Sequence, residues 1–398
     1  MAVRGIFQSN QSIVGDRQST LAARVLMHEY AGSAPLLALS AGMPETKISD
    51  TGWSWTEDQH IAGSTTLTNS GGVNSSATSL TVADSNLWVP NSIILAEATS
   101  EHLLVTAVSG NTITVVRGIA GTTAASIAQD ARLQLLGNAW GEGTGKPSPV
   151  TQLGESYTNM VQIFKNGWSI TGTAKAIQFV TGSKLAHNKA MCAQYHAEDI
   201  ERTFWFGKKG QQVINGVEYR LTNGIDAQIN SYGGRVVSAN AGGAGQMNMA
   251  GLFNFIRLIF DRKAKGFPNE RIAFTSSAVL ELIQSMIRKD GVYQLHPVPN
   301  SFGMDVWTID FLGNKLKLMT HPLFVENPTW AKYLYVLHPG LIEKKILRPT
   351  VTQQYLIDAN TNAGVDADEG FILDEMGFHL GGARLTGLMT NISTAVAS

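Results

Sequence analysis

Cys192, His196 and Asp199 follow one another at steps of four and three within residues 181–210. On a helix that spacing puts a thiol, an imidazole and a carboxylate on one face, a set able to ligate a metal ion. The sequence supplies no second cluster to complete a coordination sphere, and a single cysteine cannot build a zinc site on several thiolates. No metal and no cofactor are expected. His296, His321 and His338 each precede a proline, which biases the residue before it toward extended backbone, so they read as strand ends rather than catalysts. Ser276 and Ser277 stand outside any G-x-S-x-G turn, and no catalytic residue is assigned. Asp366, Asp368 and Glu369 in GVDADEG suggest half of a calcium loop, but its ligand spacing is not met and a solvated acidic loop is expected. The most nucleotide-like stretch is VSGNTITVVRGIAGTT, residues 108–123. A phosphate loop needs a lysine after its last glycine and a helix beyond it, and Thr122 stands in that place. HLLVTAV and TITVVR, on either side of Ser109, Gly110 and Asn111, instead predict a β-hairpin with a three-residue loop.

Composition bounds what could position such groups. The chain has 398 residues, 40 glycines and a formal net charge of −1. Its charged fraction is 15%, well below the roughly 25% of ordinary soluble domains. A surface so lean in charge suits either a protein that hides much of itself against partners or a β-rich secreted domain. The charge balance carries no nucleic-acid signature. MAVRGIFQSNQSIVG lacks the apolar core of a signal peptide. No apolar run approaches the roughly 18 residues that span a bilayer, so a soluble protein made in the cytosol is expected.

The pattern changes along the chain. Residues 1–34 read as an extended arm, with a short helix over 19–32 and no core of its own. Trp53, Ser54 and Trp55 alternate as a strand does, and residues 157–177 read as its distant partner strand. Between them, residues 63–136 contain no lysine, two arginines and four acids. Candidate strands at 78–83, 92–97, 102–108, 112–117 and 131–136 predict a small sandwich or barrel between flexible linkers. A long helix follows from a cap at Ser183 to Gly207 or Gly210, with Ala186, Ala190, Ala193, Ala197, Ile200 and Phe204 as one close-packing stripe. Asn248 caps a second helix, and Ser276 starts a third, FTSSAVLELIQSMIRKD, which is closed by Gly291 and whose apolar side reads as core or as a partner-binding face. RIAFTS, KLKLMTH and KYLYVLHPGLIEKKIL read as strands, and GFILDEMGFHLGGARLTGLM returns as further β pieces. The fold class expected is α+β.

GSAPLLAL, the Trp53 strand, VTAVSGNTITVVRGIAGTTAA, TNMVQIFKNGWSITGTAKAI, DIERTFWFGKKG and TNGI, in that order, resemble one family. It is the major capsid proteins of tailed bacteriophages with the Hong Kong 97-type fold, in the branch carrying an inserted small β-domain. The most specific blocks are 157–177 and 199–226. The resemblance implies an N-terminal arm over 1–35 and an extended loop over 36–62 and 137–180. It implies an inserted β-rich module at 63–136 that is displayed on the shell. It implies a peripheral domain with a spine helix at 181–244, an axial domain at 245–345, and a return of 346–398 to the peripheral and axial sheets. It further implies a homo-oligomer of pentamers and hexamers that self-assembles into an icosahedral head shell enclosing double-stranded DNA, which is held non-specifically. Portal protein, and scaffold or decoration proteins, are the other implied partners; assembly is expected in the bacterial host cytoplasm, with no membrane and no enzyme activity. Some capsids of this fold weld subunits by Lys–Asn bonds. Lys165 is a conceivable donor, but no partner asparagine or catalytic glutamate is identified and no cross-link is expected. The alternative reading, prompted by the Ser/Thr/Gly loops of 63–136, is a tail-associated or adhesin-like β-module binding protein.

Overall fold

A computed structural model describes residues 44–58, 63–86, 88–147, 149–151, 153–179, 182–239, 247–290, 296–301, 304–311, 314–355 and 366–393. The expected arm over 1–35, its helix, and the helix stop at Gly291 lie outside the described residues. The chain forms two compact units, Met1–Trp55 with Tyr157–Ser398, and Thr56–Ser156.

The first strands are β1 (Glu45–Lys47) and β2 (Gly52–Glu57). The second unit then contributes β3 (Ser64–Thr66), β4 (Ser79–Thr81), β5 (Ser92–Ala96), β6 (Glu101–Ser109), β7 (Thr112–Ile119) and β8 (Arg132–Asn138). They run antiparallel in the order β3-β8-β5-β6-β7-β4, and a bridge from Leu67 to Val82 joins the two outer strands. The six strands therefore close on themselves, which removes the exposed edges that invite strand addition. Alternation, interrupted by register shifts in the β6–β7 and β5–β8 ladders, fills the interior with Leu80, Ile94, Leu103, Val105, Ile113, Val115 and Leu133. β3 is a strand that the sequence pattern did not suggest. In the β6–β7 hairpin Ser109 pairs with Thr112, so the loop has two residues, not the three expected, and Gly110 takes φ +56°.

β9 (Glu155–Met160) pairs with β2, as the Trp53 alternation predicts, but β10 (Gln162–Thr171) does not continue that pairing. The expected single strand over 157–177 is divided at Val161, which is fully buried and whose N–H bonds the Thr51 carbonyl. Beyond it the chain turns into the short helix α1 (Gly172–Ala176). The long helix α2 (Lys184–Phe206) is capped by Ser183, whose hydroxyl accepts the Ala186 N–H, and ends at Gly207. There follow β11 (Gly210–Ile214), β12 (Val217–Leu221), α3 (Ile225–Ser231), β13 (Arg235–Ser238), α4 (Met249–Phe260), β14 (Glu270–Thr275) and α5 (Ser277–Asp290). The chain continues through β15 (His296–Ser301), β16 (Met304–Phe311), β17 (Asn314–Thr320), α6 (Leu323–Glu326), β18 (Leu334–Leu337), β19 (Ile342–Tyr355), β20 (Ala367–Leu380) and β21 (Gly387–Thr390). KYLYVLHPGLIEKKIL, expected as one strand, breaks at a 3-10 turn over Pro339–Leu341, because proline has no N–H for the ladder.

A seven-stranded mixed sheet, β13-β21-β18-β14-β17-β16-β15, organises the first unit. Its central strands are apolar on both faces, as RIAFTS and LYVL suggest. Phe274, Tyr335 and Leu337 point into one core with Ile200, Phe204 and Trp205 of α2. Ala273, Leu334 and Val336 point into the other, with Leu252, Phe255, Ile256 and Ile259 of α4 and Val279 and Ile283 of α5. The α5 face is thus core. A four-stranded sheet, β1-β19-β20-β10, supplies Ile342, Met376, Phe378 and Leu380 to the first core. The α+β class is as expected.

Candidate functional site

Cys192, His196 and Asp199 do share a face of α2, and that face meets Asn166 of β10. The Asn166 amide donates to Asp199 Oδ2 at 2.8 Å, its Oδ1 lies 2.7 Å from His196 Nδ1, and its backbone carbonyl accepts the Cys192 thiol at 3.4 Å. His196 Nε2 faces Asp374 Oδ2 at 3.2 Å, and the Thr350 hydroxyl donates to the same oxygen. The Asn166 side-chain oxygen is an acceptor, so this bond is donated by His196 Nδ1. The three residues are bonded around an amide rather than around an ion-sized space, and among the described residues no group of three such side chains is arranged to hold a metal. The network also explains which face of α2 is buried. Cys192, His196, Ile200 and Phe204 are inside. Ala186, Ala190 and Ala193, expected to pack closely, are exposed in this single chain.

The other flagged residues are likewise spoken for. His321, just past β17, is buried; its Nδ1 accepts the Leu323 N–H, and its Nε2 meets Glu201 at 2.5 Å and the Trp205 indole at 3.0 Å. His338 follows β18, accepts the Gly340 N–H, and is pushed down to about 4 by burial and by the Arg271 charge. His296 begins β15. Ser276 donates to the Ala331 carbonyl and accepts the Val279 N–H at the start of α5. Asp368 corrects the expected solvated acidic loop: it lies in β20, is 1% exposed, and accepts from Lys175 Nζ at 2.6 Å. The period of β20 extends farther toward the acidic residues than their polarity suggested. Lys165 is exposed on β10, its ammonium 4.0 Å from the Phe371 ring centroid.

In the second unit, the loop with the nucleotide-like glycines does cradle an anion, the chain's own Glu101. Arg117 grips both carboxylate oxygens at 2.7 Å, and the N–H groups of Gly118 and Ala125 add bonds at 3.1 and 3.2 Å. Burial raises this carboxyl, and the arginine and N–H donors outweigh it, holding it below its ordinary range. Arg117 also donates to the carbonyls of Asn74, Ala77 and Ala125, so one buried pair ties two loops to β6 and β7.

In the first unit, the root of the β2–β9 pair is built by residues the sequence did not mark. Asn159 Nδ2 donates to the carbonyls of Phe378 (2.8 Å) and Asn223 (3.2 Å), and its Oδ1 accepts the Asn223 N–H at 2.9 Å. Gln228 donates to the same two carbonyls and accepts the Leu380 N–H. Trp55 stacks among Tyr157, Tyr232 and His379, with the His379 ring edge-on at 4.4 Å. Burial, followed by the Lys345 charge, pushes His379 down to about 4. Two glycines of β20 seat tryptophans: a Cβ on Gly370 would collide with the Trp168 ring, and one on Gly377 with the Trp53 ring. The signal available in sequence was the pair of blocks 157–177 and 199–226, which hold Asn159 and Asn223.

Most of the flagged groups inside are therefore bonded within the chain, while several large apolar side chains stand outside. Tyr195 of α2, Ile163 of β10, and Val217, Tyr219 and Leu221 of β12 are each between 46% and 56% exposed. Such a surface binds another apolar surface. Among the described residues no helix is long and apolar enough to cross a membrane.

A profile of the SU10 major capsid protein family matches residues 30–393. The chain is 26% identical over 321 residues to a protein described as "Major capsid protein" of Pseudomonas phage PaMx41, covering 80% of this chain and 76% of that one. Similar solved structures include that of Mycobacterium phage Bobi, at 9% identity over 94% of this chain and 95% of that chain, with a TM-score of 0.46. The capsid of Myoviridae phage XM1 is 10% identical over 98% of this chain and 99% of that chain, with a TM-score of 0.42.

Proposed function

The chain belongs to the SU10 major capsid protein family, as the match over residues 30–393 establishes, and from that premise we propose how it builds a head. It is a phage capsid shell protein. Copies of it form pentamers and hexamers that close into an icosahedral shell around double-stranded DNA. The arm over 1–35 and the loop over 36–62 and 137–180 reach neighbouring copies. Residues 181–244 form the peripheral domain, with α2 as its spine, and residues 245–345 the axial domain; residues 346–398 return to both sheets. The role is structural, without catalysis. Assembly takes place in the host cytoplasm, with a portal and with scaffold or decoration proteins as further partners.

The observation that supports this reading best is the set of large apolar side chains left exposed on a chain whose charged fraction is only 15%. A closed shell repeats heterologous contacts until the rotation closes, so each copy must present two different sticky surfaces. Permanent contacts of that kind are large and comparatively apolar. A net charge of −1 fits a container that holds DNA by volume and counterions rather than by a basic groove. The closed barrel at 63–136 offers no strand edge for polymerisation, which supports a decorating role for it.

Electron microscopy of the purified chain tests the reading against the adhesin-like alternative. Shells or capsomers are expected; discrete monomers or trimers at all concentrations would contradict it.

A further inference from the structure

Arg117, Arg132, Arg202, Arg220 and Arg348 each meet a carboxylate of the chain. Among the described residues Arg235, Arg257, Arg262 and Arg271 meet none, and these four share one corner of the first unit. Arg257 is in the last turn of α4 and Arg262 lies just beyond its end. Arg262 Nη1 donates to the Arg384 carbonyl at 3.4 Å, and the Arg384 side chain lies over Gly233, two residues before Arg235. Arg235 is in register with Gly387, whose Cβ position faces Ile259 and Phe255 of α4, so Arg235 stands on the α4 side of the sheet. Arg271 lies beneath them. It is fully buried and donates to the carbonyls of Glu270, Arg262 and Leu385 at 3.1, 3.2 and 3.3 Å. Burial lowers it to about 10, which leaves it charged at neutral pH. Lys263 and Lys265 are exposed alongside, so residues 257–265 hold four cations against one acid, Asp261. Glu270, the next acid along the chain, is already held by Lys317 at 3.0 Å.

Basic residues at a helix C-terminus offset the partial negative charge of its last carbonyls. That reason covers Arg257 and Arg262. It leaves out Arg235, which is on a strand, and Arg271, which is inside. Carbonyl dipoles reduce the cost of burying Arg271 without cancelling its charge. The corner therefore keeps a positive field that the chain does not neutralise, on a protein whose net charge is only −1. Guanidinium groups match phosphate oxygens in planar, bidentate pairs.

We propose that this corner, with Arg235, Arg257, Arg262, Lys263 and Lys265 at its surface, docks the phosphate backbone of duplex nucleic acid. The proposal rests on the reading of the chain as a shell around double-stranded DNA, and it gives that shell a few fixed counterions. Phosphate contacts carry no base information, so the docking is independent of sequence. Arg271 acts through its field and touches no phosphate.

The test uses unassembled subunits of the full chain and a fluorescent duplex of mixed sequence, with anisotropy read over a range of salt. The wild-type chain is expected to bind, its log affinity falling linearly with log salt. Arg235→Gln with Arg262→Gln should weaken binding about tenfold and lower the salt slope by about 2. Lys263→Gln with Lys265→Gln, in the exposed segment after α4, should act in the same direction, and it decides the matter if the arginine variant does not fold. Lys165→Gln with Lys208→Gln, exposed cations elsewhere, should change neither quantity. No binding by the wild-type chain, or an equal loss in the Lys165 and Lys208 variant, would overturn the site. So would a polyglutamate of matched charge that competes as well as unlabelled duplex, because the corner would then take an acidic protein. Electron microscopy reads particle formation separately. Particles without duplex binding defeat this site alone, and duplex binding without particles defeats the shell reading alone.

Discussion

The chemistry-bearing residues of this chain are bonded to one another, and the physical reason is burial. An imidazole or carboxylate inside a core must find a partner, since an unpaired buried charge is costly. Asn166 serves Cys192, His196 and Asp199 together, and Arg117 serves Glu101. His379 and His338 are the exceptions that resist charging. Both are depressed to about 4 from an ordinary 6.5. His379 faces Glu343 and Lys345 of β19 and the Trp55 ring; His338 faces Arg271. The unfolded chain takes up a proton at each site below pH 6.5, and the folded chain does not until about pH 4. Their contribution to stability is therefore complete above 6.5 and lost as the pH falls toward 4. The melting temperature should drop across that window, and His379→Gln should flatten part of the drop. A wild-type curve that stays level between those pH values would contradict this account.

At the level of elements, β20 organises the first unit: it lies between β10 and β19 and carries the two glycines beneath Trp168 and Trp53. Gly377→Ala should push the Trp53 indole out of its seat, at a cost of about 1–3 kcal/mol, the usual penalty of overpacking. Urea denaturation followed by tryptophan fluorescence reads both effects; an unchanged midpoint and spectrum would show that the ring has room to shift. The sequence made some elements plain and concealed others. α2 was legible because Ser183 and Gly207 punctuate it and the apolar steps repeat between them. Its buried face was not, since alanine is compatible with either side and the choice fell to the Asn166 bonds. The break at Val161 was hidden because Ile163 continues the odd-numbered alternation of Tyr157 and Val161, whereas in β10 the buried side shifts to Phe164, Trp168 and Ile170. The burial of Asp368 is hidden because a charged residue reads as exposed until its partner is known, and Lys175 lies 193 positions away. The β11–β12 ribbon carries its Asn-Gly turn in plain sight, but the bond from Arg220 to Glu375 that ties it to β20 joins residues 155 positions apart.

For the whole molecule, family membership and surface chemistry agree. Buried polar networks such as those of Asn159 and Asn166 fix the packing of the first unit, and exposed apolar side chains are available for contacts between copies. The six-stranded barrel has its own core, closes its own edges and locks its loops with Glu101 and Arg117. On the proposed reading it should therefore be separable from the joining of copies. Sedimentation velocity of the purified chain, beside the chain lacking 64–136, bears on this most directly. Both are predicted to sediment as assemblies many times heavier than a 42.8 kDa subunit. A stable monomer at every concentration of the full chain would contradict the account.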